Sequence, residues 1–172
     1  MEAISELEQV YLLLKLGVAR TGQLIDWAIE RLQRDEEAGD LDVVLLAGAT
    51  EQEEIEVLSL AAKILGRYCG AHVPDEQFAA GKYVAELYER YVAGEEDVSS
   101  LDEKLDRIYV RLDSPDWLVM LSRNCEYATD VPAFQEPFER ELAYVAKLWA
   151  EVSSREEFEA KYSRGVSKRN AV

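Results

Sequence analysis

The sequence contains few of the residues around which most catalytic and metal sites are built. It has one histidine, His72, and two cysteines, Cys69 and Cys125, among 172 residues. A single histidine excludes His-rich zinc sites and the paired Glu-x-x-His motifs of helical di-iron proteins. The cysteines do not form a Cys-x-x-Cys pair, and isolated thiols are typical of a reducing compartment. We therefore expect no metal, no cofactor and no disulfide framework.

Motifs for phosphate binding and nucleophilic catalysis are also missing. There is no GxxxxGK[ST] loop, no GxGxxG fingerprint and no GxSxG elbow. Cys69 and His72 stand three residues apart in a Gly/Pro loop, but no acid that would orient such a pair is identifiable. The sequence thus predicts a protein without enzymatic activity. An enzyme with an unrecognised acidic site stays open, because any two of 35 acidic residues are candidates.

Long apolar runs and a basic amino-terminal segment are absent as well. The longest apolar stretches are far too short to cross a bilayer, and the first residues are acidic, unlike those of a signal peptide. These features predict a cytoplasmic protein without a membrane partner. Because no linker rich in Gly, Pro or Ser occurs, residues 1–162 are predicted to form one domain. Residues 163–172 contain three bases and no acid, and we expect a frayed basic tail there.

Negative charge dominates what is present. The chain has 35 acidic residues against 19 Lys and Arg, a net charge of −16, and residues 1–162 alone carry −19. Such a chain repels nucleic acid phosphates, so we expect no nucleic acid binding. Basic protein surfaces are the partners that this charge favours, although solubility alone also accounts for a high negative charge.

Apolar residues recur at helical spacing and predict an all-α fold of eight or nine helices. The first helix is expected from about Ser5 to Leu16, and the second begins near Thr21. Residues 41–47 contain a Val-Val pair that suits a strand. No other segment offers a convincing partner strand, so a short buried helix is the preferred interpretation.

Three Ser/Thr-x-x-Glu sequences predict capping boxes that open later helices. They begin at Thr50, Ser100 and Ser154. The helix after Thr50 is expected to be mostly buried, with Ile55 and Ala62 in its apolar row. Further helices are predicted over about 75–93, from 115 as a short helix, and over about 137–152, with an irregular stretch at 124–137.

Six carboxylates lie within twelve residues, next to three tyrosines. On a helix, Asp102 and Asp106 share one face, where like charges repel each other. Aromatic side chains beside a charged patch are typical of interface anchors, although tyrosines at helical spacing are also common in cores. We interpret the region as a candidate partner-binding surface that comprises Glu95, Glu96, Asp97, Asp102, Glu103, Asp106, Tyr88, Tyr91 and Tyr109.

The segment over residues 10–68 contains four features in a characteristic order. These are a leading helix that ends in Leu16-Gly17-Val18, then Ile25-Asp26-Trp27-Ala28, then Val44-Leu45-Leu46-Ala47, then an acidic capped helix from Glu51. The order resembles small helical bacterial immunity proteins that occur beside polymorphic toxins. The resemblance implies no catalytic residues. It implies binding to a toxin domain, often a basic nuclease, through a complementary acidic surface.

Two functions without catalysis therefore stand beside the enzyme alternative. The first is a binding protein that neutralises a toxin. The second is a structural or adaptor subunit that self-associates through an apolar helix face. Trp117 and Trp149 are the candidate buried contacts of that homo-oligomer.

Overall fold

The computed structural model describes residues 2–70 and 75–169, and it confirms the all-α class. Nine α-helices and no strand occur in these two ranges. His72, which the sequence places three residues after Cys69, lies outside them, as do residues 170–172 of the predicted tail. The helices are α1 (Glu2–Lys15), α2 (Thr21–Gln33), α3 (Leu41–Ala47), α4 (Glu54–Cys69), α5 (Glu76–Val92), α6 (Val98–Arg111), α7 (Asp116–Asp130), α8 (Gln135–Glu151) and α9 (Arg155–Arg169), with a 3-10 turn at Pro132–Phe134.

The helices group into two compact units, residues 1–74 with α1 to α4 and residues 75–172 with α5 to α9. The single domain expected over residues 1–162 stays a prediction. None of the helices in the described ranges is long and apolar enough to cross a bilayer.

The first unit has an aliphatic core to which all four of its helices contribute. In α4 the buried stripe includes Val57, Ala61 and Ile64, while Ile55 is 88% exposed and Ala62 is also exposed. The predicted apolar row was therefore wrong at these two positions. Because the opposite face lies in water, α4 is amphipathic rather than mostly buried. The buried residues of this core are Leu7, Leu14, Leu24, Ile25, Trp27, Ala28, Val43, Leu46, Val57, Leu60, Ala61, Ile64 and Leu65.

The ambiguous segment 41–47 is a helix, as preferred from the sequence, but it is not buried. Val43 and Leu46 face the core. The other large apolar side chains, Leu41, Val44 and Leu45, are 74%, 44% and 60% exposed. Residues three and four apart share a helix face. Helix α3 therefore has an apolar stripe that is exposed to solvent.

Helix starts in the first unit differ in detail from the predicted boxes. The Thr50 amide and hydroxyl both donate to the Glu53 carboxylate at 2.8 Å. These two hydrogen bonds run in one direction, unlike those of a capping box, and they close a turn before α4, which begins at Glu54. Helix α3 is capped by Asp40, whose carboxylate accepts a hydrogen bond from the Asp42 amide at 3.0 Å.

In the second unit, α5 and α8 pack closely because a glycine lies between them. A Cβ atom on Gly81 would be only 2.1 Å from the indole of Trp149. One residue on, the Lys82 ammonium donates to the carbonyls of Trp149 and Val152, each at 2.7 Å. These carbonyls end α8 and lack partners within the helix. Lys82, a residue of α5, thus caps the carboxyl end of α8.

Trp149 is the centre of an aromatic cluster in the second unit. It is fully buried and stacks on Phe158 with ring centroids 3.7 Å apart. Trp117 meets it edge-on at 5.3 Å and is itself 4% exposed. The proposed role of the two tryptophans in self-association was therefore wrong, because both pack inside their own unit.

Two segments are more helical than expected. Helix α7 continues through 124–130, which was predicted to be irregular because prolines follow it. Pro132 opens the 3-10 turn and Pro137 lies in the first turn of α8, where a missing N–H leaves no helical hydrogen bond unmade. Helix α9 runs on to Arg169, so the expected frayed tail from Ser163 is helical as far as the structure describes it.

Candidate functional site

Glu96 belongs to the interior of the second unit rather than to its surface. Its side chain is 3% exposed and forms ion pairs with Arg90 of α5 and Lys104 of α6. The Ser100 hydroxyl also donates to it. Burial by itself would raise the pKa of Glu96, but the hydrogen bonds from Lys104 and Ser100 outweigh it and hold that pKa below its usual value. Glu96 is therefore not available to an outside partner.

Three other predicted carboxylates interact with groups that lie within five residues of them in the sequence. Asp97, not Ser100, is the N-cap of α6, and its carboxylate accepts from the Ser100 amide at 2.8 Å. Glu95 lies 3.9 Å from the Arg90 guanidinium. Glu103 pairs with the guanidinium of Arg107, one turn later on the same helix. Exposed pairs of this kind contribute little to stability, but they offset the local charge.

The two remaining acids, Asp102 and Asp106, lie near a third carboxylate, Glu126, which is not among the nine predicted residues. Helices α6 and α7 form a hairpin, and Glu126 of α7 lies beside the start of α6. Burial raises the pKa of Asp102, and the negative charges of Glu126 and Asp106 raise it further. In the described ranges none of the three forms a close ion pair, although the charge of Arg123, one turn earlier on α7, attracts Glu126. We call Asp102, Asp106 and Glu126 the acidic hairpin face.

Tyrosines flank the acidic hairpin face. Tyr109 follows on the same stripe of α6, three residues after Asp106, and is half-buried. Tyr127 of α7 is 39% exposed, and the Arg123 guanidinium lies 5.9 Å from the centroid of its ring. Each ring thus offers an apolar edge next to the carboxylates.

The other two predicted tyrosines have different positions. The Tyr91 hydroxyl donates to the Glu139 carboxylate at 2.8 Å, and its ring meets Phe138 edge-on at 6.1 Å, so Tyr91 joins α5 to α8. Tyr88 is half-buried and lines a separate groove between those helices. The structure therefore brings together only Asp102, Asp106 and Tyr109 of the nine predicted residues. It adds Glu126 and Tyr127 to them.

Burial disfavours the reactive thiolate form of both cysteines. Burial raises the pKa of Cys125, whose thiol lies 3.7 Å from the Val98 carbonyl, and burial also raises the pKa of Cys69. Raised thiol pKa values oppose the thiolate form that a nucleophile needs. Within residues 2–70 and 75–169, no group of three or more His, Cys, Asp or Glu side chains is placed to hold a metal ion.

Comparison with known proteins finds no match to this chain among family models, curated proteins or solved structures.

Proposed function

We propose that this protein binds a basic partner protein through the acidic hairpin face and inhibits it, as an immunity protein neutralises a bacterial toxin. The observation that carries the proposal is the grouping of Asp102, Asp106 and Glu126 without a close ion-pair partner among the described residues. Like charges held together destabilise a fold slightly. An arriving Lys or Arg removes that repulsion, so the arrangement favours a cationic surface.

Charge on the whole chain supports the same type of partner. Residues 1–74 have 14 acids and 6 bases, and residues 75–172 have 21 acids and 13 bases, so each unit carries −8. A field of one sign speeds the encounter with an oppositely charged protein. Tyr109 and Tyr127 would then slow dissociation, because aromatic anchors at the centre of an interface contribute most to affinity.

The choice of a toxin as the partner rests on the resemblance of residues 10–68. A basic nuclease has a cleft that attracts phosphate groups. Carboxylates on a rigid helical hairpin can occupy that cleft in place of the phosphates. Inhibition then requires no catalytic residue in the inhibitor. The interaction is predicted to weaken as salt is added, since exposed charges are screened over about 8 Å at physiological ionic strength.

The proposal predicts that reversing the acidic hairpin face abolishes protection against a toxin. The variant carries Asp102→Lys, Asp106→Lys and Glu126→Lys, and the toxin candidate is the product of the adjacent gene, expressed inducibly in a bacterial host. We expect the parent protein to restore growth and the variant to lose at least tenfold in surviving colonies. Association rates measured by biolayer interferometry should fall by a similar factor.

A matched variant separates the position of the charges from their number. Asp26→Lys, Glu56→Lys and Glu136→Lys change three exposed acids outside the acidic hairpin face by the same total charge. This control should protect as well as the parent, and circular dichroism should show equal helicity for all three proteins. Equal loss of protection in both variants, or full protection by the reversed hairpin, would contradict the proposal.

Self-association is the second candidate function, and the apolar stripe of α3 favours it. Leu41, Val44 and Leu45 together expose an aliphatic surface of the kind that monomeric proteins usually cover. We predict that the parent protein sediments as a dimer and that Leu41→Ser with Leu45→Ser yields a monomer of unchanged helicity. A control with Val92→Ser and Val110→Ser, both exposed in the second unit, should remain dimeric. A monomeric parent at high concentration removes this candidate.

A further inference from the structure

A groove runs between α5 and α8 on one side of the second unit. Its volume is about 540 Å³, and its lining is largely apolar. The floor consists of small side chains, Ala85 from α5 and Ala143, Ala146 and Ala150 from α8. The α8 alanines lie three and four residues apart and so share one helix face. Tyr88 adds an aromatic wall.

The width of the groove follows from the close approach of the two helices. The Tyr91–Glu139 hydrogen bond and the contacts of Lys82 with the end of α8 join the helices at two distant points. Between these points the alanines leave a shallow trough. The floor from Ala143 to Ala150 is about 10 Å long at 1.5 Å per residue, which corresponds to about two helical turns.

The rim of the groove is acidic. Glu86 and Glu89 border it on α5, and Glu151 borders it on α8. The one base in the lining, Lys147, lies 3.9 Å from Glu151. Burial raises the pKa of Glu86, and Arg90 opposes that effect. The rim thus has three carboxylates against one ammonium group.

We propose that the α5–α8 groove binds an amphipathic α-helix of a partner protein, with small apolar residues against the alanine floor and Lys or Arg against the acidic rim. Two antiparallel helices with an open apolar seam provide the surface that a third helix needs for packing. The charge of the rim selects a basic helix. This inference does not depend on toxin neutralisation, since the groove and the acidic hairpin face share no residue.

Charge also decides against a second copy of this chain in the same groove. A symmetric dimer would bring Glu86, Glu89 and Glu151 of one molecule against the same residues of the other. Like charges that face each other in this way are unfavourable. A basic helix from another protein meets the same rim with attraction.

The test uses synthetic peptides as the probe and the full chain as the receptor. The probe is a fluorescein-labelled helix of about 18 residues, with Leu and Ala on one face and Lys on its flanks. One comparison peptide has Glu in place of Lys, and another has the same composition in scrambled order without an amphipathic face. Fluorescence anisotropy should show saturable binding of the probe and at least tenfold weaker binding of both comparison peptides.

Variants of the protein assign the binding to the groove. Ala150→Trp places an indole in the trough, and Ala160→Trp makes the same change at an exposed alanine of α9 outside it. Glu86→Lys with Glu89→Lys reverses the rim, and Asp130→Lys with Glu136→Lys changes as much charge elsewhere. We expect the first variant of each pair to weaken probe binding at least tenfold, and its control to change it less than twofold.

Other results overturn the inference. If the scrambled peptide binds as well as the probe, the attraction is one of charge without a helix site. If Ala150→Trp and Ala160→Trp bind equally, the groove is not the site. If the parent dimerises and Ala150→Trp alone abolishes the dimer, the occupant is a second copy. None of these outcomes bears on growth protection, so failure here is distinct from failure of the proposed function.

Discussion

Replacing Gly81 with alanine is expected to lower the free energy of unfolding by about 3 kcal/mol. The new methyl group would lie 2.1 Å from Cδ2 and 2.3 Å from Cε2 of Trp149. The indole cannot retreat, because Phe158 stacks on its face and Trp117 meets it edge-on. The change must therefore separate α5 from α8 or displace the cluster, despite the better helix propensity of alanine.

Gly66→Ala is the matched control for that experiment. Gly66 is also a helical glycine, but a Cβ atom there meets nothing within 4 Å. The control should stabilise the protein by about 0.5–1 kcal/mol through helix propensity alone. Thermal unfolding followed by far-UV circular dichroism should place the two midpoints on opposite sides of the parent, with Gly81→Ala lower by about 6–12 °C. A midpoint at or above that of the parent would show that the helices do not meet at Gly81 as described.

Glu96→Gln is expected to cost about 2 kcal/mol of stability at neutral pH. The amide has almost the same shape but removes the charge that Arg90 and Lys104 face. Because both bases are partly exposed and can regain water, the loss is smaller than for a fully buried pair. Urea unfolding at pH 7 measures it. The control Glu95→Gln should stay within about 0.5 kcal/mol of the parent, since that carboxylate is exposed.

The pH dependence of the stability difference between the parent and Glu96→Gln gives a second measurement. The pKa of Glu96 is lowered in the folded state, so its contribution is present above the usual value of 4.5 and is lost as the pH falls through the folded pKa. The stabilities of the parent and of Glu96→Gln should therefore converge in acid. A gap that stays constant down to pH 3 would contradict the lowered pKa.

The pattern of apolar residues was sufficient to predict most helices of this fold. The expected helix over 75–93 is observed at Glu76–Val92, where an apolar stripe and the capping side chain of Asp75 agree on where the helix begins. The apolar pattern did not identify the buried face of α4, because that helix has apolar residues on more than one face. Periodicity alone does not decide whether Ile55 or Val57 packs inward. Only the positions of the neighbouring helices decide that.

The candidate surface was harder to predict, because adjacent residues of one type have different environments. Glu95 and Glu96 are neighbours in sequence, yet Glu95 is exposed and Glu96 lies between Arg90 and Lys104. Glu126 is 24 residues after Asp102, and no local spacing links them. The α6–α7 hairpin brings them together, so this part of the site requires the tertiary fold.

The distribution of tryptophans has a spectroscopic consequence. Trp27 is in the core of the first unit, whereas Trp117 and Trp149 belong to the aromatic cluster of the second. Indoles in edge-to-face contact couple their strong far-UV transitions, so the far-UV dichroism of the second unit should have an exciton couplet. Trp27 has no tryptophan neighbour in its own unit. Tryptophan emission from a Trp27→Phe protein would therefore report on the unfolding of the second unit alone.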